Sequence, residues 1–241
     1  MFHKNATIVA IALCGLGVAT PASATTVFDA FSSFNAVQGT NNFFYGSFDG
    51  VSFTPFAQNT NCVIAGVTCL RGANVNLPSV FKSDGSLSSS GTVILPTDRL
   101  IAHPGQFDDS VYIAFVAPVA GTYSYTAQFN QQDTNTAQHS VGVTEFFLPS
   151  GGSTQLFPVG LVNRAQPNIL TGFTQTVAVG DTIGYVIDKN GTFFNDSTGF
   201  NFSLSLAAAV PEPSTWAIMI VGFGFVGGAM RARTTTKVRF A

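Results

Sequence analysis

Tyr123-Ser124-Tyr125-Thr126-Ala127-Gln128-Phe129 alternates an apolar side chain with a hydroxyl or amide at every step. A period of two marks a strand with one face in a core and the other toward water. Phe200, Phe202, Leu204 and Leu206 repeat the pattern against Asn201, Ser203 and Ser205. Ahead of both lies Ser110 to Val116, where Val111, Ile113 and Phe115 face one side and Tyr112, Ala114 and Val116 the other. A strand apolar on both faces belongs in the middle of a sheet that is covered on both sides.

Turn chemistry separates these runs at Ala117-Pro118-Val119-Ala120-Gly121, Pro149-Ser150-Gly151-Gly152, Val179-Gly180-Asp181 and Lys189-Asn190-Gly191. Each supplies Gly or Pro where the chain must reverse. No stretch between residues 25 and 207 keeps a helical period with caps. The expected architecture is therefore all-β, an antiparallel sandwich of two sheets.

Both ends of the chain read differently. Lys4 precedes an apolar run from Ala6 to Ala19, and Ala22-Ser23-Ala24 places small residues at the −3 and −1 positions of a cleavage site. That is the layout of a secretory signal peptide over residues 1–24, removed after Ala24. Cys14 lies inside the run, but Leu13 stands where a lipobox needs a small residue, so lipidation is not expected. Export leaves Cys62 and Cys69 in an oxidising compartment, closing a short loop that predicts a local disulfide.

Toward the other end, Pro211-Glu212-Pro213-Ser214-Thr215-Trp216-Ala217 is followed by an uncharged run to Met230 and then by Arg231, Arg233, Lys237 and Arg239. The prolines keep a helix from running back into the domain. Trp216 suits a membrane interface, and the basic end suits the cytoplasmic side. A short transmembrane helix is expected over 216–230, although fifteen residues at ~1.5 Å each fall short of a ~30 Å hydrocarbon core. Gly222, Gly224, Gly227 and Gly228 would let another helix approach closely.

In its Pro-Glu-Pro-x-x-Trp-Ala order, apolar helix and Arg cluster, this tail resembles the PEP-CTERM sorting signal, which is sometimes labelled as the C-terminal domain of ice-binding proteins. The resemblance implies recognition by a membrane-embedded exosortase, transient residence in the inner membrane, and delivery to the surface or extracellular matrix of a Gram-negative bacterium. It divides the chain into a signal peptide (1–24), a β-sandwich ectodomain (25–207) and a sorting tail (208–241). His103-Pro104-Gly105, Phe115 to Ser124, Val179 to Ile183 and Asn195 to Gly199 are similar to jelly-roll domains akin to carbohydrate-binding modules, found in many proteins with such tails. This second resemblance covers about Ile101 to Leu206 and implies a jelly-roll-like sandwich associated with exopolysaccharide.

Between Thr25 and Val210 stand five basic and eleven acidic residues, a net charge of −6. Polyanionic nucleic acid is therefore not an expected partner. No zinc-helix, nucleophile-elbow or phosphate-loop motif is present, and the ectodomain has only His103 and His139. His103, before Pro104, reads as a turn residue, and His139, beside a polar run, as solvent-exposed. Asp108, Asp109, Asp133, Glu145, Asp181, Asp188 and Asp196 could supply the two carboxylates of a glycosidase. Carboxylates in loops more often form turns or hold a structural Ca²⁺, for which Asp108, Asp109 and Asp196 are the candidates. No other cofactor is expected, and no catalytic residue is assigned.

Tyr45, Tyr112, Tyr123, Tyr125 and Tyr185 are candidate sugar contacts, and Asn41 to Tyr45 is either a strand start or a binding edge. Asn190, Asn195 and Asn201 match a glycosylation pattern but read as turn and strand composition. The expected role is a non-enzymatic, exported surface or matrix protein associated with polysaccharide. The alternatives are a purely structural or adhesive envelope protein and a secreted glycoside hydrolase.

Overall fold

Fifteen strands and two α-helices account for most of the computed structural model, which describes residues 25–57, 59–62, 64–73, 78–106, 110–135, 139–207 and 213–232. Thr25 to Ala207 forms one compact unit. Its strands are β1 (Thr25–Asp29), β2 (Phe43–Phe48), β3 (Phe53–Pro55), β4 (Val67–Arg71), β5 (Ser79–Ser83), β6 (Ser89–Ser90), β7 (Val93–Ile94), β8 (Leu100–His103), β9 (Ser110–Val116), β10 (Gly121–Gln131), β11 (Ser140–Leu148), β12 (Gln155–Asn163), β13 (Asn168–Val177), β14 (Thr182–Lys189) and β15 (Thr198–Ala207). A single turn of helix, α1 (Ala30–Ser33), follows β1 and is capped by the Asp29 side chain on Ser32 N–H at 2.7 Å.

All pairings are antiparallel. One sheet runs β13-β10-β15-β8-β5-β4 with β1 also on β15, the other runs β12-β11-β14-β9-β2-β3, and β6 and β7 form a separate hairpin. The expected two-sheet sandwich is what the chain forms. Tyr123, Tyr125, Ala127 and Phe129 of β10 and Phe200, Phe202 and Leu204 of β15 all lie in the core between the sheets. Aromatic rings dominate there, for example Tyr185 edge-on to Phe202 at 5.2 Å and Phe43 on Phe115 at 5.4 Å.

The central position read for Ser110–Val116 holds, because β9 lies between β14 and β2 and is buried on both faces. Its outer cover is a second aromatic layer. Phe53, brought over the sheet by β3, lies 4.6 Å from Phe146, 5.1 Å from Tyr112 and 4.5 Å from Phe48. Phe44 packs on this outer layer while Phe43 and Tyr45 enter the main core, so Asn41 to Tyr45 is a strand start.

Cys62 and Cys69 are disulfide-bonded, as the sequence predicts. The bridge closes a loop of eight residues, and loop-closure entropy makes it worth about 2.5 kcal/mol. Reduction is expected to lower stability in a denaturant titration by about that much, with an unchanged slope. A larger loss would mean that the loop also holds the β4 edge in place.

Pro213–Ala232 forms the helix α2, with Arg231 in its last turn. Among the described residues no helix is long and apolar enough to cross a membrane. The transmembrane helix expected over 216–230 falls within α2, which is uncharged from Pro213 to Met230. Ala22, Ala24, Pro211, Glu212 and Arg233 lie outside the described residues.

Candidate functional site

The alternation in β10 and β15 that builds the core also builds a surface. Side chains opposite the core-facing set line up in rows across the sheet, because register pairs Ser124 with Thr174 and Ser205, and Thr126 with Gly172 and Ser203. A further row is Leu170, Gln128 and Asn201, and Thr122 pairs with Thr176 at the end of the strand. Val27 of β1 flanks Ser205, and Asp29 flanks Ser203.

The rows enclose an open groove of about 600 Å³ lined by Val27, Ser124, Thr126, Thr174, Ser203 and Ser205, among others. Its hydroxyls bond one another across the strands, with Thr126 and Ser203 3.1 Å apart, Ser124 and Thr174 3.3 Å, and Thr122 and Thr176 3.0 Å. Asn201 Oδ1 has no hydrogen-bond partner among the described residues. A hydroxyl both donates and accepts. The surface can therefore exchange these mutual bonds for bonds to another polyhydroxylated molecule at little net cost.

No charged side chain lines this groove among its described residues. The rows suit a neutral ligand that is rich in hydroxyls and long enough to lie along a sheet. All five tyrosines proposed as sugar contacts are buried. Tyr45, Tyr123, Tyr125 and Tyr185 fill the main core and Tyr112 the outer aromatic layer, where burial pushes its phenol up to about 12. For Tyr123 and Tyr125 the alternation with Ser124 and Thr126 carried that information, whereas Tyr112 belongs to a strand that is apolar on both faces.

The carboxylates separate into three settings. Asp181 is a turn former, accepting Ser150 N–H and Ala178 N–H at 2.8 Å each. Glu145 of β11 is 5% exposed in the main sandwich, bonded to the Tyr125 hydroxyl, and its carboxyl is raised mainly by burial. Its Oε2 and the Tyr185 hydroxyl have no partner among the described residues. Glu145, Tyr125 and Tyr185 are all buried in the sandwich.

The third setting gathers Asp133, Asp188 and Asp196 with both histidines at one end of the sandwich. His139 is buried, not solvent-exposed, because Ser140 begins β11 and draws it inward. Its Nδ1 lies 2.7 Å from the Asn195 carbonyl and 4.0 Å from Asp196 Oδ1. Asp196 is fully buried, accepts Ser140 N–H at 3.1 Å, and is raised to about 7 chiefly by burial. His103 and His139 are both held below the ordinary imidazole value by burial. Asp196, read from the sequence as a calcium candidate in a loop, is an interior group.

Asp108 and Asp109 lie outside the described residues. Among those described, no three His, Cys, Asp or Glu side chains are placed to hold a metal ion. Sequence reasoning missed this buried polar end because Asp196 stands more than fifty residues from Asp133 and His139 in the chain. Only the unusual density of polar residues beside strand ends hinted at it.

Comparison with known proteins finds a PEP-CTERM protein-sorting motif at residues 209–233. No curated protein matches the chain. Among solved structures, the chain is similar to a family 29 carbohydrate-binding module, with 10% identity, a TM-score of 0.36, and 79% of this chain and 99% of that one covered. It is also similar to a xylan-binding domain of family 22, at 12% identity and TM-score 0.35, covering 61% and 90%. The C-terminal family 22 module of Clostridium thermocellum Xyn10B gives 13% and 0.35, covering 71% and 98%. Likenesses this distant carry no argument about function.

Proposed function

We propose that this chain, which carries a PEP-CTERM sorting motif, is handed by an exosortase from the inner membrane to the cell surface or matrix, where its sandwich binds a neutral polysaccharide. Residues 1–24 serve as the signal peptide, 25–207 as the binding domain and 208–241 as the sorting tail. Pro211, Glu212, Pro213, Trp216 and Ala217 are the sorting residues, and Arg231 and Arg233 the basic stop. The short helix α2 fits a transient hold on the membrane better than a permanent anchor. The domain's role is binding, without catalysis.

The observation that carries the binding reading is the set of hydroxyl and amide rows on the outer face of the larger sheet. No aromatic platform stands on those rows, so affinity comes from hydrogen bonds. Three or four of them at about 1 kcal/mol each give a Kd near ~1 mM. A ligand of many identical units held at several sites makes such an affinity useful.

Thr126→Trp fills the middle of the groove with a side chain that faces solvent. Retention on a column of the host's neutral exopolysaccharide is expected to fall at least tenfold, with the melting temperature unchanged. Equal retention of this variant and the unaltered protein would refute the assignment of the groove. Mass spectrometry of the protein recovered from membrane and medium checks the sorting part, and a tail intact in both fractions contradicts it.

A further inference from the structure

A sheet edge offers unpaired N–H and C=O groups to any other strand, and folded proteins normally guard it. Here the edges differ. The edge strand β3 has three residues and ends in Pro55. At the far side of the larger sheet β4 has five residues and ends in Arg71. The edge strand β12 contains Pro158, and its pairing with β11 is broken by an irregularity at Val143/Thr144. Among the described residues, only β13 combines length with the absence of a guard. It runs ten residues, Asn168 to Val177, without a charge, a proline or a register break.

The surface around that edge is apolar. Leu170 is 77% exposed, and Phe173, Leu156, Phe157 and Leu161 between 41 and 48%. A gap of about 340 Å³ lies between β12 and β13, lined by Phe157, Leu170 and Phe173 among others. The sandwich is therefore not closed on this side.

We infer that β13 pairs antiparallel with β13 of a second copy of this chain, joining two large sheets into one. The occupant is a second copy for three reasons. The edge is neutral in a domain of net charge −6, so two copies meet here without the repulsion they would feel elsewhere. The strand is also complementary to itself. A two-fold axis at Phe173 sets Phe173 against Phe173, Ile169 against Val177 and Thr171 against Gln175. Every such pair joins residues of the same face, as in the existing ladder with β10. Finally, Phe173, 48% exposed, meets its own copy across the axis and covers apolar surface that is otherwise open to water.

Pairing also has a consequence for binding. The rows of Thr174, Ser124 and Ser205 would continue across the axis into the partner's own rows. Two weak grooves would form one surface of twice the width, a point that rests on the polysaccharide reading of the groove.

The full chain, in mild detergent and with Cys14→Ser to remove its unpaired thiol, tests this by oxidative cross-linking. Phe173→Cys is expected to give covalent dimers several-fold above Val119→Cys, an exposed position in the turn before β10, beside the Val177 end of β13 rather than its centre. Phe173→Lys opposes two cations across the axis and is expected to shift the dimer fraction to monomer. An unchanged melting temperature shows that the variant folds. Cross-linking at 173 no greater than at 119, or a dimer fraction unaffected by Phe173→Lys, overturns the inference. Both measurements are made without polysaccharide, so they can fail while the groove still binds. A dimer that binds no polysaccharide refutes the groove reading alone.

Discussion

Gly184→Val is expected to leave no folded protein at ambient temperature. Gly184 lies in β14, in the middle of the smaller sheet, where a Cβ would stand 2.1 Å from the Ile113 carbonyl oxygen and 2.7 Å from the Phe146 ring. Neither neighbour can withdraw. The carbonyl belongs to the central strand β9, and the ring is held in the outer aromatic layer by Phe53. Overpacking of a rigid site costs several kcal/mol, comparable to the whole stability of a domain, about 5–15 kcal/mol. Gly46 has the same relation to Tyr112, at 2.3 Å. Loss of the far-UV strand signal, or recovery only from inclusion bodies, checks the expectation. A variant melting within a few degrees of the original would show that β14 and β9 can separate without penalty.

Asp196→Asn is expected to stabilise the protein at pH 8 and to leave it nearly unchanged at pH 4. Asp196 is raised to about 7, chiefly by burial, from an ordinary value of 3.8. A group raised in the folded state holds its proton more tightly there than in the unfolded chain. Its contribution is therefore full below about pH 4 and lost as pH climbs through about 7. Above that, a bare carboxylate sits among Asp133, Asp188 and a neutral His139. Asparagine keeps the Ser140 N–H bond and removes the charge.

The shift by itself bounds the gain at about 4 kcal/mol, and screening reduces it to about 2 kcal/mol. The two histidines act in the opposite direction. Held below 6.5 by burial, they cost stability as pH falls through that value. The difference between the two proteins isolates Asp196, because both share the histidines. Thermal unfolding at pH 4, 6 and 8 measures it, and parallel curves would show that Asp196 is already ionised in the folded state.

Much of the architecture was legible in local patterns. Alternation placed the inner faces of β10 and β15, the doubly apolar run placed β9, and Cys62 and Cys69 announced their bridge. The same alternation named half of the candidate groove, since Ser124, Thr126, Ser203 and Ser205 are the residues left pointing outward. What was not legible depends on long-range pairing. Thr174 and Val27 join those rows only because β13 and β1 dock where they do. His139 looked exposed because its neighbours in the chain are polar, whereas its burial comes from Asn195 and Asp196, more than fifty residues away. The tyrosines were over-read in the other direction, as surface contacts, although Tyr123 and Tyr125 stand on the apolar side of β10 and Tyr112 on a strand apolar on both faces.

The last strand of the sandwich, β15, lies between β10 on one side and β8 and β1 on the other. A polypeptide threaded through a membrane with its amino end leading cannot fill that seat until residues 198–207 have emerged. Until then β10 has no neighbour but β13, and β1 has none at all. The arrangement acts as a latch closed by the final stretch of the domain to arrive. For a chain exported as proposed above, this order would keep the sandwich open until its last strand has crossed.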